Sequence, residues 1–124
     1  MLDSAPIIAF VAITDSERAR RFYEQTLGLT LLRDEPFALV FDANGTTLRL
    51  AKVERISPAP YTVLGWLVPD IRAACARLSA AGVPFERYEG MPQDEAGIWA
   101  TPGGGYVAWF KDPDGNTLSL TQVD

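Results

Sequence analysis

An internal repeat constrains the fold of this chain more than any other feature of its sequence. Residues 42–53 (DANGTTLRLAKV) align without gaps on residues 112–123 (DPDGNTLSLTQV), and six of the twelve positions are identical. Each copy has a turn built from Asp and Gly between a hydrophobic run and an alternating segment, which is the pattern of a β-hairpin. The chain therefore contains one structural unit twice.

The repeat extends upstream, where residues 7–15 match residues 62–70 at an offset of 55. Both segments alternate apolar residues, end at an acidic residue and open a helical pattern. In the first copy Thr14 and Glu17 have the spacing of a capping box, and in the second Asp70 is the predicted N-cap. Each copy therefore begins with a strand followed by a helix.

These patterns predict an α+β fold of two tandem βαβββ units, the first over about 6–53 and the second over about 61–123, with a linker over about 54–60. A loop over 88–97 accounts for the greater length of the second copy. Each sheet is expected to have one face covered by its helix and one face that needs a partner, so two sheets can enclose a cleft. The predicted elements are strands over 6–13, 29–34, 36–42, 46–52, 61–68, 84–88, 97–101, 105–111 and 116–122, and helices over 15–27 and 70–81.

Composition excludes several classes of function. The chain has no histidine and one cysteine, so it lacks the preferred ligands of zinc, copper and non-haem iron and the commonest general base. Cys75 has the helical spacing of a core residue. A net charge of −5 with scattered basic residues argues against nucleic acid as a partner.

The sequence also bears on location. No window approaches the roughly 18 uninterrupted apolar residues of a membrane helix, and no basic run precedes an apolar stretch at the N-terminus. We expect a cytoplasmic protein that does not enter a membrane.

Two segments resemble the sequence signatures of the vicinal oxygen chelate superfamily, which includes glyoxalases, bleomycin-resistance proteins and dioxygenases. They are residues 14–29 (TDSERARRFYEQTLGL) and 110–120 (FKDPDGNTLSL). The resemblance spans nearly the whole chain, and it implies a single domain over 1–124 that forms an open barrel with a central cleft. The superfamily contains metalloenzymes and proteins that only bind a ligand, so the fold does not decide the function.

The resemblance also places the family's metal ligands, one from the first and last strand of each copy, at Ile8, Arg49, Val63 and Ser119. Two of these residues are aliphatic, one is a permanent cation and one is a neutral hydroxyl, so none is a competent ligand in the family's manner. We expect no metal and no other cofactor.

Strand alternation predicts which side chains line the cleft. The wall combines apolar and aromatic groups with one positive charge and several hydroxyls, which suits a small organic ligand with a planar part and an acidic or carbonyl group. The predicted ligand-binding residues are Phe10, Arg49, Leu67, Trp109, Ser119 and Thr121.

The leading hypothesis is a metal-independent protein that binds an aromatic or amphipathic compound, and we expect it to form a homodimer. The alternative is a metal-free enzyme acting on a small carbonyl substrate, with Glu95 as the candidate base and Arg49 stabilising the oxyanion. Two simpler interpretations also stand. Arg49 pairs with an acid such as Glu95 or lies at a dimer interface, and Trp99 and Trp109 belong to the core.

Overall fold

The computed structural model describes residues 1–124, which form two compact units, Met1–Ser57 and Pro58–Asp124. Each unit contains one four-stranded mixed sheet and one principal helical segment. The predicted α+β class and the two βαβββ units are confirmed, and neither sheet closes on itself. Neither helix has the length and apolar content needed to span a bilayer.

Unit 1 has the strand order β1-β4-β3-β2, in which β1 runs parallel to β4 and the other neighbours are antiparallel. Its elements are β1 (Ile8–Ile13), α1 (Ser16–Arg20), a π-helical segment (Arg21–Thr26), β2 (Thr30–Asp34), β3 (Ala38–Ala43) and β4 (Thr46–Lys52).

Helix α1 begins one residue later than predicted. The backbone of Asp15 is extended and its carboxylate accepts a hydrogen bond from Arg18 N at 3.1 Å, so Asp15 is the N-cap. The predicted capping box of Thr14 and Glu17 is therefore wrong. Asp caps a helix as well as Thr does, and the shift leaves Glu17 one position short of the reciprocal bond.

After Arg20 the helix widens into the π-helical segment, where Leu27 N donates to Phe22 O at 2.9 Å across five residues. Tyr23 in this segment is fully buried. Its ring packs edge-on against Phe22 at 5.4 Å and tilted against Phe41 of β3 at 6.2 Å. The regular helix predicted over 15–27 is therefore half α-helix and half π-helix, because a period near 3.6 cannot separate the two.

Unit 2 repeats the topology of unit 1, with the strand order β5-β8-β7-β6 and β5 parallel to β8. Asp70 caps α2 by accepting from Ala73 N at 3.1 Å, as predicted. The elements are β5 (Thr62–Leu67), α2 (Ile71–Ala80), β6 (Trp99–Ala100), β7 (Tyr106–Lys111) and β8 (Thr117–Gln122).

The strand predicted over 84–88 is wrong, since only Phe85 forms an isolated bridge, with Phe110. The Gln93 side chain satisfies the backbone groups that a neighbouring strand would otherwise satisfy. Its amide accepts from Tyr88 N at 2.8 Å and donates to Glu86 O at 2.9 Å. The Gln93 side chain thus makes hydrogen bonds that a paired strand would make.

In each sheet one face carries the aliphatic core, and in β3 and β8 residues on the other face are buried as well. In β4 the core face consists of Leu48 and Leu50, and in β8 it consists of Leu118 and Leu120. Burial of each such side chain stabilises the fold by roughly 1.5–3 kcal/mol. Cys75 of α2 is also buried, and burial, together with the nearby Asp94, raises the pKa of its thiol to about 11. The thiol is therefore part of the core and poorly suited to be a nucleophile.

Asp94 organises the loop between α2 and β6. Its carboxylate accepts from Ala96 N at 3.0 Å and Ile98 N at 2.9 Å and pairs with Arg72 at 2.9 Å. Burial alone raises the pKa of this carboxyl, but the hydrogen bonds from Ile98, Arg72 and Ala96 outweigh it and lower the pKa. The loop is therefore ordered by hydrogen bonds to the charged carboxylate of Asp94.

Replacing Asp94 by Ala is expected to destabilise the protein by about 1–2 kcal/mol at about pH 7, because two backbone donors lose their partner. The folded-state pKa of Asp94 lies below its unfolded value, so this stabilisation is full above the ordinary carboxyl pKa and is lost as the pH falls through the lowered value. Urea denaturation at about pH 7 and about pH 3 measures both effects. Glu95→Ala is the control, since its exposed side chain should change stability by less than about 0.5 kcal/mol.

Strands β5 and β8 approach closely at Gly65, which pairs with Ser119. A Cβ atom at position 65 would lie 2.6 Å from Ser119 Oγ and 3.4 Å from Ser119 O. The absence of a side chain at Gly65 is therefore what leaves room for the Ser119 hydroxyl.

Gly65→Ala is expected to destabilise unit 2 by about 1–3 kcal/mol through this overlap. Adding Ser119→Ala removes the hydroxyl and should recover most of the loss, whereas Ser119→Ala alone should be nearly neutral. Gly103→Ala is the matched control, because an added Cβ there meets nothing within 4 Å. Equal losses in Gly65→Ala and the double variant, measured by urea denaturation, would contradict this account.

Candidate functional site

Side-chain alternation gives each sheet a second face, opposite the buried one, which we call the open face. In β4 the open face carries Thr47, Arg49 and Ala51, the neighbours of the buried Leu48 and Leu50. In β1 it carries Ile8 and Phe10, whose exposed fractions are 50% and 62%. Two large apolar side chains on one strand are therefore open to solvent, which is common at surfaces that contact another molecule.

On the open face of unit 1, one row of residues runs across the sheet. Phe10 pairs with Arg49, Arg49 with Val40, and Val40 with Arg33. Glu35, from the turn after β2, accepts from Arg33 Nε at 2.9 Å and from Arg49 Nη2 at 3.1 Å. Two guanidinium groups thus share one carboxylate.

The hydrogen bond from Arg33 is the main reason that the pKa of Glu35 is lowered. Burial acts in the opposite direction, and the hydrogen bond and charge of Arg49 lower the pKa further. Lys52 Nζ donates to Glu35 O at 2.8 Å and also pairs with Asp34. We call Arg33, Asp34, Glu35, Arg49 and Lys52 the charged cluster. It holds three cations and two carboxylates and so has a net charge of one positive.

The open face of unit 2 is different, because its centre carries two small residues, Gly65 and Ser119, which we call the floor. Gly65 pairs with Ser119, which pairs with Trp109. In the next row Leu67 pairs with Thr121. Ser119 is 7% exposed, and its hydroxyl has no hydrogen-bond partner within the protein.

An aromatic cluster of Tyr88, Trp99 and Trp109 borders this floor. The Trp99 and Trp109 rings lie 6.1 Å apart at 31°, and the Tyr88 ring meets Trp109 edge-on at 5.4 Å. All three side chains keep part of their surface exposed. They are therefore not core residues, although aromatic residues usually are.

The predicted ligand-binding residues divide between the two units. Phe10 and Arg49 lie on the open face of unit 1, and the other four lie on that of unit 2: Leu67, Trp109, Ser119 and Thr121. Arg49 pairs with Glu35 rather than with Glu95. Arg33, Glu35 and Tyr88 were not predicted as site residues, because no local pattern links a turn or loop residue to a strand residue far along the chain.

Glu95, the candidate base, lies away from the open face. It borders a depression of about 150 Å³ together with Ser79 of α2 and Phe85, whose ring packs against the buried Phe110. Its backbone oxygen accepts from Arg87 at 2.7 Å, and the residue is exposed. The acid beside Arg49 is Glu35, and its lowered pKa makes it a poor general base.

The four residues at the family's metal positions do not fit a divalent cation. Ile8 and Val63 offer no donor atom, and Arg49 is engaged with Glu35. Nowhere in residues 1–124 do three Cys, Asp or Glu side chains gather as a metal site would require. These four side chains thus do not form a donor set for a divalent cation.

Comparison with known proteins identifies the family. The family model for the glyoxalase/bleomycin resistance protein/dioxygenase superfamily matches residues 7–120. No curated protein sequence matches the chain.

Several solved structures share the fold over nearly their whole length. TnmS3, an antibiotic binding protein from Streptomyces sp. CB03234, is 30% identical, with 100% of this chain and 99% of that chain covered and a TM-score of 0.74. A superfamily member from Sphaerobacter thermophilus is 25% identical, with 99% and 100% covered and a TM-score of 0.77. A lactoylglutathione lyase from Agrobacterium tumefaciens is 20% identical, with 98% and 96% covered and a TM-score of 0.76. The chain therefore belongs to the glyoxalase/bleomycin resistance protein/dioxygenase superfamily.

Proposed function

We propose that this chain is a metal-independent binding protein for an aromatic or amphipathic small molecule. The observation that carries the proposal is the aromatic cluster of Tyr88, Trp99 and Trp109 beside a floor of small residues on the open face of unit 2. A planar ring can lie on this floor and contact the face of Trp109.

The floor is low because Gly65 has no side chain and Ser119 has a short one. A larger residue at either position would raise the floor. Next to it, Leu67 is 71% exposed, so apolar surface is available to a ligand at no further cost in desolvating polar groups. The recess thus favours the apolar body of a ligand.

Two hydroxyl groups supply the polar contacts. Ser119 Oγ makes no hydrogen bond within the protein, and Thr121 stands beside it on β8. A hydroxyl without a protein partner can hydrogen-bond to a ligand without giving up an internal contact. We expect a carbonyl or hydroxyl group of the ligand to meet these two residues.

The likeness to TnmS3 supports binding without chemistry, because that protein is an antibiotic binding protein of the same fold and length. The alternative, a metal-free enzyme, has less support. Its candidate base Glu95 lies near α2 and Phe85, and Glu35 is held as a carboxylate by two guanidinium groups.

A homodimer is part of the proposal. Both units expose large apolar side chains, among them Phe37 at 80% and Leu67 at 71%, and such surface commonly marks a contact with another molecule. Native mass spectrometry of protein purified without added metal, together with elemental analysis, reports subunit number, bound metal and any retained ligand. A dimer without stoichiometric metal is the expected result, and a stoichiometric transition metal would contradict the proposal.

Ligand binding should quench tryptophan fluorescence through Trp109 and Trp99. Trp109→Ala is expected to weaken binding of an uncharged bicyclic probe, naphthalene-2-carboxamide, and of any aromatic antibiotic found to bind, by roughly tenfold or more, because stacking on one aromatic residue contributes about 1–3 kcal/mol. Isothermal titration calorimetry measures the affinities.

Trp66→Phe is the matched control. Trp66 stacks on the buried Phe110 at 6.4 Å, on the face opposite the aromatic cluster, so this variant should bind like the parent protein. Equal affinity loss in the two variants would indicate a general effect on the fold and remove the evidence for the open face.

A further inference from the structure

The charged cluster of unit 1 has unused hydrogen-bonding capacity. Arg49 donates to Glu35 through Nη2 alone, although a guanidinium carries five N–H donors. Its side chain is 30% exposed. The neighbouring residue in register is Phe10, which is 62% exposed. A fixed cation therefore stands beside an accessible aromatic ring.

Glu35 has two guanidinium partners, Arg33 and Arg49. The distance is 2.9 Å to Arg33 Nε and 3.1 Å to Arg49 Nη2. A small rotation of the Glu35 side chain away from Arg49 therefore keeps one ion pair intact. Since both partners are about one-third exposed, solvent already weakens the pair that would be given up.

The backbone of Glu35 does not need to move for this rotation. Lys52 Nζ holds Glu35 O at 2.8 Å, and Glu35 N donates to Ala38 O at 2.9 Å. The turn is thus fixed at both backbone groups. A change of the carboxylate's partner needs only a rotation of the Glu35 side chain. An incoming anion therefore competes with the Glu35 carboxylate alone for Arg49, and the turn does not have to move.

The charge of the cluster limits the ligand. With Glu35 in place the cluster has a net charge of one positive, and Glu35 stays within reach of any group bound to Arg49. A single carboxylate or sulfonate matches this charge, whereas a dianion would face repulsion from the nearby carboxylate.

We propose that Arg49 and Phe10 form a binding site for a monoanionic aromatic acid, and that Glu35 is a built-in competitor that sets its affinity and charge selectivity. The acid pairs with Arg49, its ring packs against Phe10, and Glu35 remains on Arg33. The site consists of unit 1 residues alone, so it stands independently of the aromatic cluster in unit 2.

The test compares naphthalene-2-carboxylate with naphthalene-2-carboxamide, which has the same shape without the charge. Calorimetry gives the affinities, and the Nε–Hε signal of Arg49, assigned by its loss in Arg49→Gln, reports contact in a ¹H–¹⁵N spectrum. The acid should bind more tightly than the amide, shift the Arg49 signal, and lose affinity as salt rises.

Glu35→Gln is expected to increase affinity for the acid by roughly three- to fivefold, the effect of removing one partly exposed competing charge, and to leave the amide unchanged. Arg49→Gln should abolish the preference for the acid. Glu54→Gln and Arg55→Gln are the matched controls, because both side chains are exposed in unit 1 and lie outside the cluster.

Three outcomes would overturn the site. The acid fails to saturate, it binds without shifting the Arg49 signal, or Glu35→Gln changes the affinities for acid and amide equally. Trp109→Ala distinguishes this failure from failure of the proposed function, because it acts on binding of the amide and leaves the response to Glu35→Gln intact. Far-UV circular dichroism of each variant checks that the fold is retained.

Discussion

The parallel pairing of β1 with β4 and of β5 with β8 is the constraint on which both core and candidate site depend. Because successive side chains on a strand point to opposite faces, one register decides both at once. It sends Leu48 and Leu50 into the core and leaves Arg49 between them on the open face. A slip by one residue would bury a guanidinium and expose two leucines. Arg49 is therefore placed on the open face by the same register that buries the leucines on either side of it.

The duplicated topology was predictable because it has a local signal. The Asp-Gly turns, the alternation of β4 and β8 and the helix cap at Asp70 all follow from short segments, and the structure has them where the patterns indicated. The long-range partners had no such signal. Glu35 meets Arg49 fourteen residues away, and Gln93 replaces a strand neighbour through its side chain. Contacts of this kind depend on how the chain folds back, which no sequence period encodes.

The two units share a strand order and differ in the residues that the open face carries. The residue paired with Arg49 is Phe10, whereas the residue paired with Ser119 is Gly65. Unit 1 thus presents a guanidinium beside an exposed phenyl ring. Unit 2 presents a shallow recess beside the indole rings of Trp99 and Trp109. The same strand order thus supports two open faces of different chemistry.

The helical segments of the two copies differ in length by one residue. The caps Asp15 and Asp70 are 55 residues apart, whereas the glycines that end the helices in left-handed conformation, Gly28 and Gly82, are 54 apart. The helix of unit 1 therefore has one residue more than its counterpart. The wider turns from Arg21 to Thr26 accommodate this residue before Gly28 and the start of β2. This one-residue difference lies upstream of the strands and does not alter their alternation, and Tyr23 of the widened segment is buried in the core.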